Sequence, residues 1–266
     1  MELKLYQVDA FGRGVFTGNP AAVVPLQDWL DDAVLAAIAA ENNLSETAFI
    51  IRRGGDWDLR WFTPAFEVAL CGHATLGAAH AICEFIDPNA SELRFNTRQS
   101  GVLTVTKKGN VYEMRFPAIA TEEVATPDAL VAALGVAPSR TLIGHYSPSE
   151  ADYLAIFDTE EAVQDLKPDM GGFSALGTRG AICSAAGQDV DFVSRYFAPA
   201  AGIPEDPVTG SAHCILTPYW AAAFGKTALE ARQISARGGW LGCVLDGESV
   251  RLTGQAFTYL EGSIVL

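Results

Sequence analysis

Positive charge is scarce in this chain, whose 266 residues carry 18 Lys and Arg against 32 Asp and Glu, a net charge of −14. No basic run exceeds Lys107-Lys108, which removes the electrostatic footprint expected of a protein that binds nucleic acid or an anionic membrane surface. An acidic small molecule must then be held by local donors. No apolar stretch approaches the ~20 residues of a membrane-spanning helix. Cysteine is sparse, odd in number and without a C-x-x-C pair: Cys71, Cys83, Cys183, Cys214 and Cys243. Neither a disulfide framework nor a zinc site fits that pattern, so reduced thiols and no metal are expected. A P-loop, a serine nucleophile elbow and a G-x-G-x-x-G turn with its later acidic residue are also missing, which removes most nucleotide and hydrolase chemistries. The opening Met1-Glu2-Leu3-Lys4-Leu5-Tyr6 enters an alternating strand pattern at once instead of a signal-peptide pattern, and a cytoplasmic location is expected.

What is present is a pattern used twice. Arg60-Trp61-Phe62-Thr63-Pro64 precedes Cys71-Gly72-His73-Ala74-Thr75-Leu76-Gly77, and Arg195-Tyr196-Phe197-Ala198-Pro199 precedes Asp206-Pro207-Val208-Thr209-Gly210-Ser211-Ala212-His213. Gly72 and Gly210 stand 138 residues apart, as do Gly109 and Gly247, and Phe62 and Phe197 stand 135 apart. One offset for several landmarks predicts a duplicated lobe and a cleft between the copies. Each copy is expected to be a curved sheet around one apolar helix, Gly72 to Phe85 or Gly210 to Phe224, with Pro218 ending or kinking the second. Pro and Thr-Glu-Glu residues between Ala118 and Pro127 suggest a linker. Two terminal strands, Val250 to Leu252 and Thr258 to Leu266, close the second lobe, the last crossing back to the first.

The chemistry gathers at the two helix starts. Unpaired N–H groups and the helix dipole make each a site for a carboxylate, which a glycine lets approach the backbone. His73, in the first turn of an apolar helix, needs a partner such as Asp206 to be charged or to fix its tautomer. Cys71 precedes a helix start, where its thiol pKa would be lowered, although a packed small residue in a turn reads equally well. Asp206-Pro207 could be a turn and Ser211 a simple helix-start donor. Glu46 heads the apolar run Thr47 to Ile51, where low-dielectric walls would raise its pKa and let it hold a transferable proton. His80, His145 and His213 lack such surroundings and read as structural.

These motifs, together with Asp9-Ala10-Phe11, Phe16-Thr17-Gly18-Asn19-Pro20-Ala21-Ala22-Val23 and Leu44-Ser45-Glu46-Thr47-Ala48-Phe49, resemble the phenazine-biosynthesis PhzF-like family over essentially the whole chain. The resemblance implies an α+β fold of the diaminopimelate-epimerase type: two pseudo-symmetric lobes, here 1–118 and 119–266, each a rolled, mostly antiparallel sheet around a central helix. It also implies a homodimer and a cofactor-free isomerisation of a small carboxylic acid, since the founding enzyme moves a proton within a cyclic dihydro-hydroxyanthranilate. By match to the family, Glu46, His73, Asp206 and Ser211 are the catalytic residues, while Asn19, Cys71, Gly72, Thr209 and Gly210 bind substrate. The related racemases use two cysteines, one per helix start. Here Thr209 stands at the second position, and its hydroxyl is far too weak an acid for that task. Two alternatives stay open: an epimerase or racemase working through Cys71, and a protein that binds a small acid without turnover.

Overall fold

The computed structural model describes residues 1–199 and 202–266. They form two compact units of mixed sheet with few helices, Met1–Arg115 with Thr253–Leu266, and Phe116–Leu252.

In the first unit, β1 (Glu2–Gly12) and β2 (Asn19–Leu26) are antiparallel. After α1 (Asp32–Asn42) the chain returns as β3 (Glu46–Arg53), parallel to β2, with Ala21 opposite Glu46. β4 (Asp56–Phe62) runs antiparallel to β3, and the short β5 (Glu67–Val68) antiparallel to β4. After α2 (Gly72–Ala81), β6 (Glu92–Thr97) pairs parallel with β4. β7 (Val102–Lys108) and β8 (Val111–Pro117) follow as antiparallel neighbours joined at Gly109-Asn110, where Gly109 takes the positive φ of 65° that this turn requires.

The second unit begins with β9 (Thr121–Glu123), α3 (Asp128–Leu134), β10 (Arg140–Ser147) and β11 (Glu150–Ile156). After α4 (Glu160–Gln164), β12 (Gly180–Ala186) pairs parallel with β11. β13 (Phe192–Ala198) is antiparallel to β12, and β14 (Ile203–Asp206) to β13. Beyond α5 (Gly210–Phe224), β15 (Ala228–Gln233) pairs parallel with β13 and antiparallel with β16 (Gly239–Asp246). The sequence of pairings from β1 to β7 thus recurs, step for step, from β10 to β16.

The repeated aromatic-Phe-x-Pro motif works in the same way in each unit. Arg60 forks onto Glu67 of β5 through two bonds of 2.8 Å, and its guanidinium lies 5.0 Å from the Phe62 ring centroid. Arg195 forks onto Glu205 of β14 at 2.7 and 2.9 Å and lies 4.8 Å from the Phe197 ring. Two parallel N–H···O bonds to a carboxylate fix geometry as well as supplying energy. Each fork therefore ties the short strand, and the helix start that follows it, to the sheet.

Every residue of α2 from His73 to Ala81 is buried, in keeping with its lack of charge. At Gly77 a Cβ would meet Ala21 and Val8 at 3.6 Å, so α2 lies in close packing distance of β1 and β2. The helix passes into a π-helical turn, Ile82–Ile86, instead of continuing as α-helix to Phe85.

Three expectations change. The segment 118–127 is not a free linker, because β9 pairs with β10, Thr121 opposite Gly144. The two terminal strands are one strand, β17 (Ser249–Val265), whose later residues pair with β1, Val265 opposite Glu2. Pro218 does not end α5, which runs through it to Phe224. A proline there leaves the Cys214 carbonyl without its helical N–H, and the Ile119 N–H donates to that carbonyl at 2.9 Å.

Candidate functional site

The first unit gathers Asn19, Glu46, Cys71 and His73. Asn19 and Glu46 begin β2 and β3, and the parallel register of these strands brings them to the same end of the sheet. All four residues are buried. His73 Nε2 lies 3.0 Å from Glu46 Oε2, and His73 Nδ1 lies 3.2 Å from the Asn19 amide nitrogen and 3.5 Å from Cys71 Sγ. The Glu46 contact is close without being in line with the ring N–H. Oε2 is buried, and its close approach to His73 joins the two side chains as a pair.

Burial alone would lower the His73 pKa, but the neighbouring Cys71 sulfur and Glu46 carboxylate outweigh it and hold the imidazole well above its ordinary range. The Cys71 thiol moves opposite to the expectation from its place before a helix. Burial, reinforced by the Glu46 charge, pushes it up to about 11, because a desolvated thiolate costs more than the dipole and His73 return. At neutral pH Cys71 is a thiol, and Glu46 supplies the negative charge beside His73. The carboxylate that sequence reasoning sought for His73 in Asp206 is therefore Glu46. Possible ligand atoms of Glu46, Cys71 and His73 lie within 4.8 Å of one another, yet a cation bound there would have to displace that strongly held thiol proton.

In the second unit Asp206 ends β14 and Thr209 precedes α5. Thr209 Oγ1 donates to Asp206 Oδ2 at 2.5 Å. Gln233 fixes the loop: its amide nitrogen donates to the Asp206 carbonyl at 2.7 Å, and its carbonyl accepts from the Thr209 N–H at 2.9 Å. A Cβ at Gly239 would fall 2.0 Å from Val208 Cγ2, so only glycine admits the loop here. Neither α2 nor α5 has a side-chain N-cap. Threonine is a good capping residue, but the Thr209 hydroxyl is turned to Asp206, and the first amides of α5, from Gly210 and Ser211 onward, receive no cap from it. Ser211 Oγ is reached by Arg179 Nη2 at 3.5 Å.

The histidines set aside at the sequence level are accounted for otherwise. His80 sits between the Tyr112 and Thr258 hydroxyls and His213 against the Thr209 carbonyl, and burial lowers each to about 4, leaving both neutral. All five cysteines are free and buried. No helix among the described residues is long and apolar enough to cross a membrane.

Sequence reasoning missed Gln233, Arg179, Tyr146, Asp152 and Tyr196. The only signal of them in the sequence is a charged or amide side chain in an otherwise apolar run, as at Asp152 within Ala151–Ile156.

A fold of this pairing order with a buried histidine and carboxylate at a helix start is that of the PhzF and epimerase-like proteins. The model of the phenazine biosynthesis-like protein family matches residues 8–262, and the chain belongs to that family. An uncharacterized isomerase of Pseudomonas aeruginosa is 50% identical over 266 residues, 100% of both chains. The crystal structure of a PhzF-family phenazine biosynthesis protein from Enterococcus faecalis superposes with a TM-score of 0.93 at 42% identity, covering 100% of both chains. A hydroxyproline epimerase from Agrobacterium vitis shares the fold at a TM-score of 0.65 and 12% identity, over 100% of this chain and 93% of that one. The protein is an isomerase of the PhzF-like type.

Proposed function

We propose that this isomerase moves a proton within a small carboxylic acid without a cofactor, with Glu46 as the proton carrier. The Glu46 carboxylate breaks a C–H bond of the substrate and takes the proton, and the electron pair delocalises toward an adjacent unsaturated group. Glu46, whose captured proton exchanges with solvent, returns one proton to a different carbon, so that nothing is gained or lost overall. His73 fixes the rotamer of Glu46, while Asn19 and Cys71 hold the imidazole plane. Each uncapped helix start, that of α2 at Gly72 and that of α5 at Gly210, is suited to an anionic group, with Asp206, Thr209 and Ser211 contributing at the second. The repeated pairing order is read as two pseudo-symmetric lobes from one duplication, and the family homodimer belongs to the same proposal, checked by analytical ultracentrifugation.

The observation that carries this reading is the buried Glu46–His73 contact at 3.0 Å. A thiol held at about 11 weighs against the epimerase alternative, which needs a thiolate at Cys71. Incubation in deuterated water with unsaturated cyclic acids and with amino acids, followed by NMR, separates the possibilities. The proposal expects double-bond migration in an unsaturated acid that is lost in Glu46→Gln and kept in Cys71→Ala. Loss in Cys71→Ala with retention in Glu46→Gln would overturn it.

A further inference from the structure

Arg179, just before β12, carries a half-buried guanidinium that forms no ion pair with any carboxylate among the described residues. Its surroundings are built, not incidental. The guanidinium stacks 4.4 Å from the Tyr146 ring centroid and reaches Ser211 Oγ only at 3.5 Å. The Tyr146 hydroxyl donates to Asp152 Oδ2 at 2.9 Å and lies 3.2 Å from the Ser211 carbonyl, while the Tyr196 hydroxyl donates to Asp152 Oδ1 at 3.1 Å. Asp152 is fully buried, and both its oxygens are occupied by these two tyrosines. The acid thus anchors the aromatic platform instead of closing on the cation. A guanidinium taken partly out of water costs free energy unless it is paired; Asp152 offsets part of that cost through space, and the long Ser211 contact leaves the fork's other donors open to a ligand.

We propose that Arg179 is the substrate-carboxylate anchor of the second unit, its planar fork binding the two oxygens of an anionic ligand beside Ser211 and the first turn of α5. The ligand class is a small monocarboxylate. A fork matches a carboxylate bidentately, and the tyrosine platform holds the guanidinium in one plane before the ligand arrives, which lowers the ordering cost of binding. Asp152, Tyr146 and Tyr196 are positioning residues that act through Arg179. The assignment rests on the small-acid reading above and adds to the helix start a charged partner that its motif does not contain.

The test is 15N NMR of the full chain, following the Arg179 Nε–H and Ser211 amide signals during titration with acetate, benzoate and anthranilate, with benzamide as the neutral control. Saturable shifts are expected at both signals with at least one carboxylate and none with benzamide. Arg179→Met is expected to weaken that carboxylate about tenfold or more, and Arg179→Lys, which keeps charge but loses the fork, to fall between. If Arg179→Met does not fold, Arg179→Lys decides: a loss of about threefold or more supports the anchor, and unchanged affinity overturns it. Absence of any shift at Arg179 with all three acids also overturns it. Tyr146→Phe keeps the ring and removes both hydroxyl contacts, so it should lower Tm yet cost less affinity than Arg179→Met; equal losses would make the role of Arg179 merely structural. Carboxylate binding at Arg179 without any proton exchange in the wild type would leave the anchor standing and overturn the Glu46 reading instead.

Discussion

The first turns of α2 and α5 share a backbone device and differ in what they do with it. Thr75 Oγ1 donates to the Cys71 carbonyl at 2.5 Å, and three residues after the other glycine His213 Nδ1 binds the Thr209 carbonyl at 2.7 Å. Threonine in one copy and histidine in the other therefore close the same turn from the position after Gly72 or Gly210 plus two. The residue directly after the glycine is where the copies part. His73 meets a carboxylate at 3.0 Å, whereas Ser211 meets a guanidinium at 3.5 Å. One helix start is equipped with a proton-handling pair and the other with a cation. The shared backbone suits both starts to an anion, and in the proposal above the divergent side chains divide the chemical work.

The strongest way to break this division is to remove the proton carrier from one start only. Glu46→Gln keeps the shape and hydrogen-bonding capacity of the side chain and deletes the base, so solvent-deuterium incorporation into substrate is expected to fall on the order of 10²–10⁴-fold with little change in substrate affinity. The measurement is single-turnover exchange by NMR. A variant with near wild-type exchange would return the chemistry to another residue.

Next in size is a pair of opposite pH effects from two buried histidines. Burial lowers His213 to about 4, so the neutral form is favoured by folding. Its contribution is complete above the unfolded pKa near 6.5 and is lost as pH falls from there through about 4. The full shift corresponds to on the order of 3 kcal/mol. His73 is shifted the other way, with burial opposed and outweighed by Cys71 and Glu46. Its contribution is complete below about 6.5 and is lost as pH rises through the elevated folded pKa. Urea unfolding from pH 4 to 10 is expected to show an acid limb flattened by His213→Gln and an alkaline limb flattened by His73→Gln. Parallel curves for wild type and both variants would refute the contrast.

Much of this was legible in the sequence because local chemistry wrote it there. The glycine-opened helices, the single offset between copies, and Glu46, Cys71 and His73 as separate candidates can be read without coordinates. Their assembly cannot, since Glu46 reaches His73 only through the parallel register of β2 and β3. The same limit explains the misjudged Pro218, whose helix survives because the distant Ile119 N–H satisfies the carbonyl that proline abandons. Arg179, Tyr146, Asp152 and Tyr196 lie in or beside four different strands and leave no local pattern. Cys71 failed for another reason. The dipole argument was sound in direction, but complete burial reversed it.

A smaller effect is expected at Ser211. Replacing it by alanine removes the hydroxyl that Arg179 contacts but keeps the backbone N–H of the helix start. A lost hydrogen bond to a charged group is worth roughly 1.5–3 kcal/mol at good geometry, and at 3.5 Å this one is weaker, so carboxylate affinity should drop well short of the loss expected for Arg179→Met. Calorimetric titration with benzoate measures it. A loss as large as that of Arg179→Met would mean that the serine, not the cation, recognises the ligand.

The smallest effect is the most informative about the duplication. Thr209→Cys would restore, by residue type, the symmetric pair of cysteines that the racemase scheme uses. If residue type at the two helix starts alone decided the reaction, this single change should bring α-proton exchange in amino acids. Thiol reactivity, however, requires the thiolate, and the site shows what governs that. Cys71 is buried and sits beside the Glu46 carboxylate, and both raise its pKa. At position 209 a thiol would inherit a buried place next to the Asp206 carboxylate, where the same two influences act in the same direction. Amino-acid α-proton exchange by Thr209→Cys is therefore expected to stay at the wild-type background between pH 6 and 9, as read by deuterium incorporation into proline and alanine. A clear gain would show that the second helix start activates a thiol where the first does not, and that the two copies differ in electrostatics more than their shared backbone suggests.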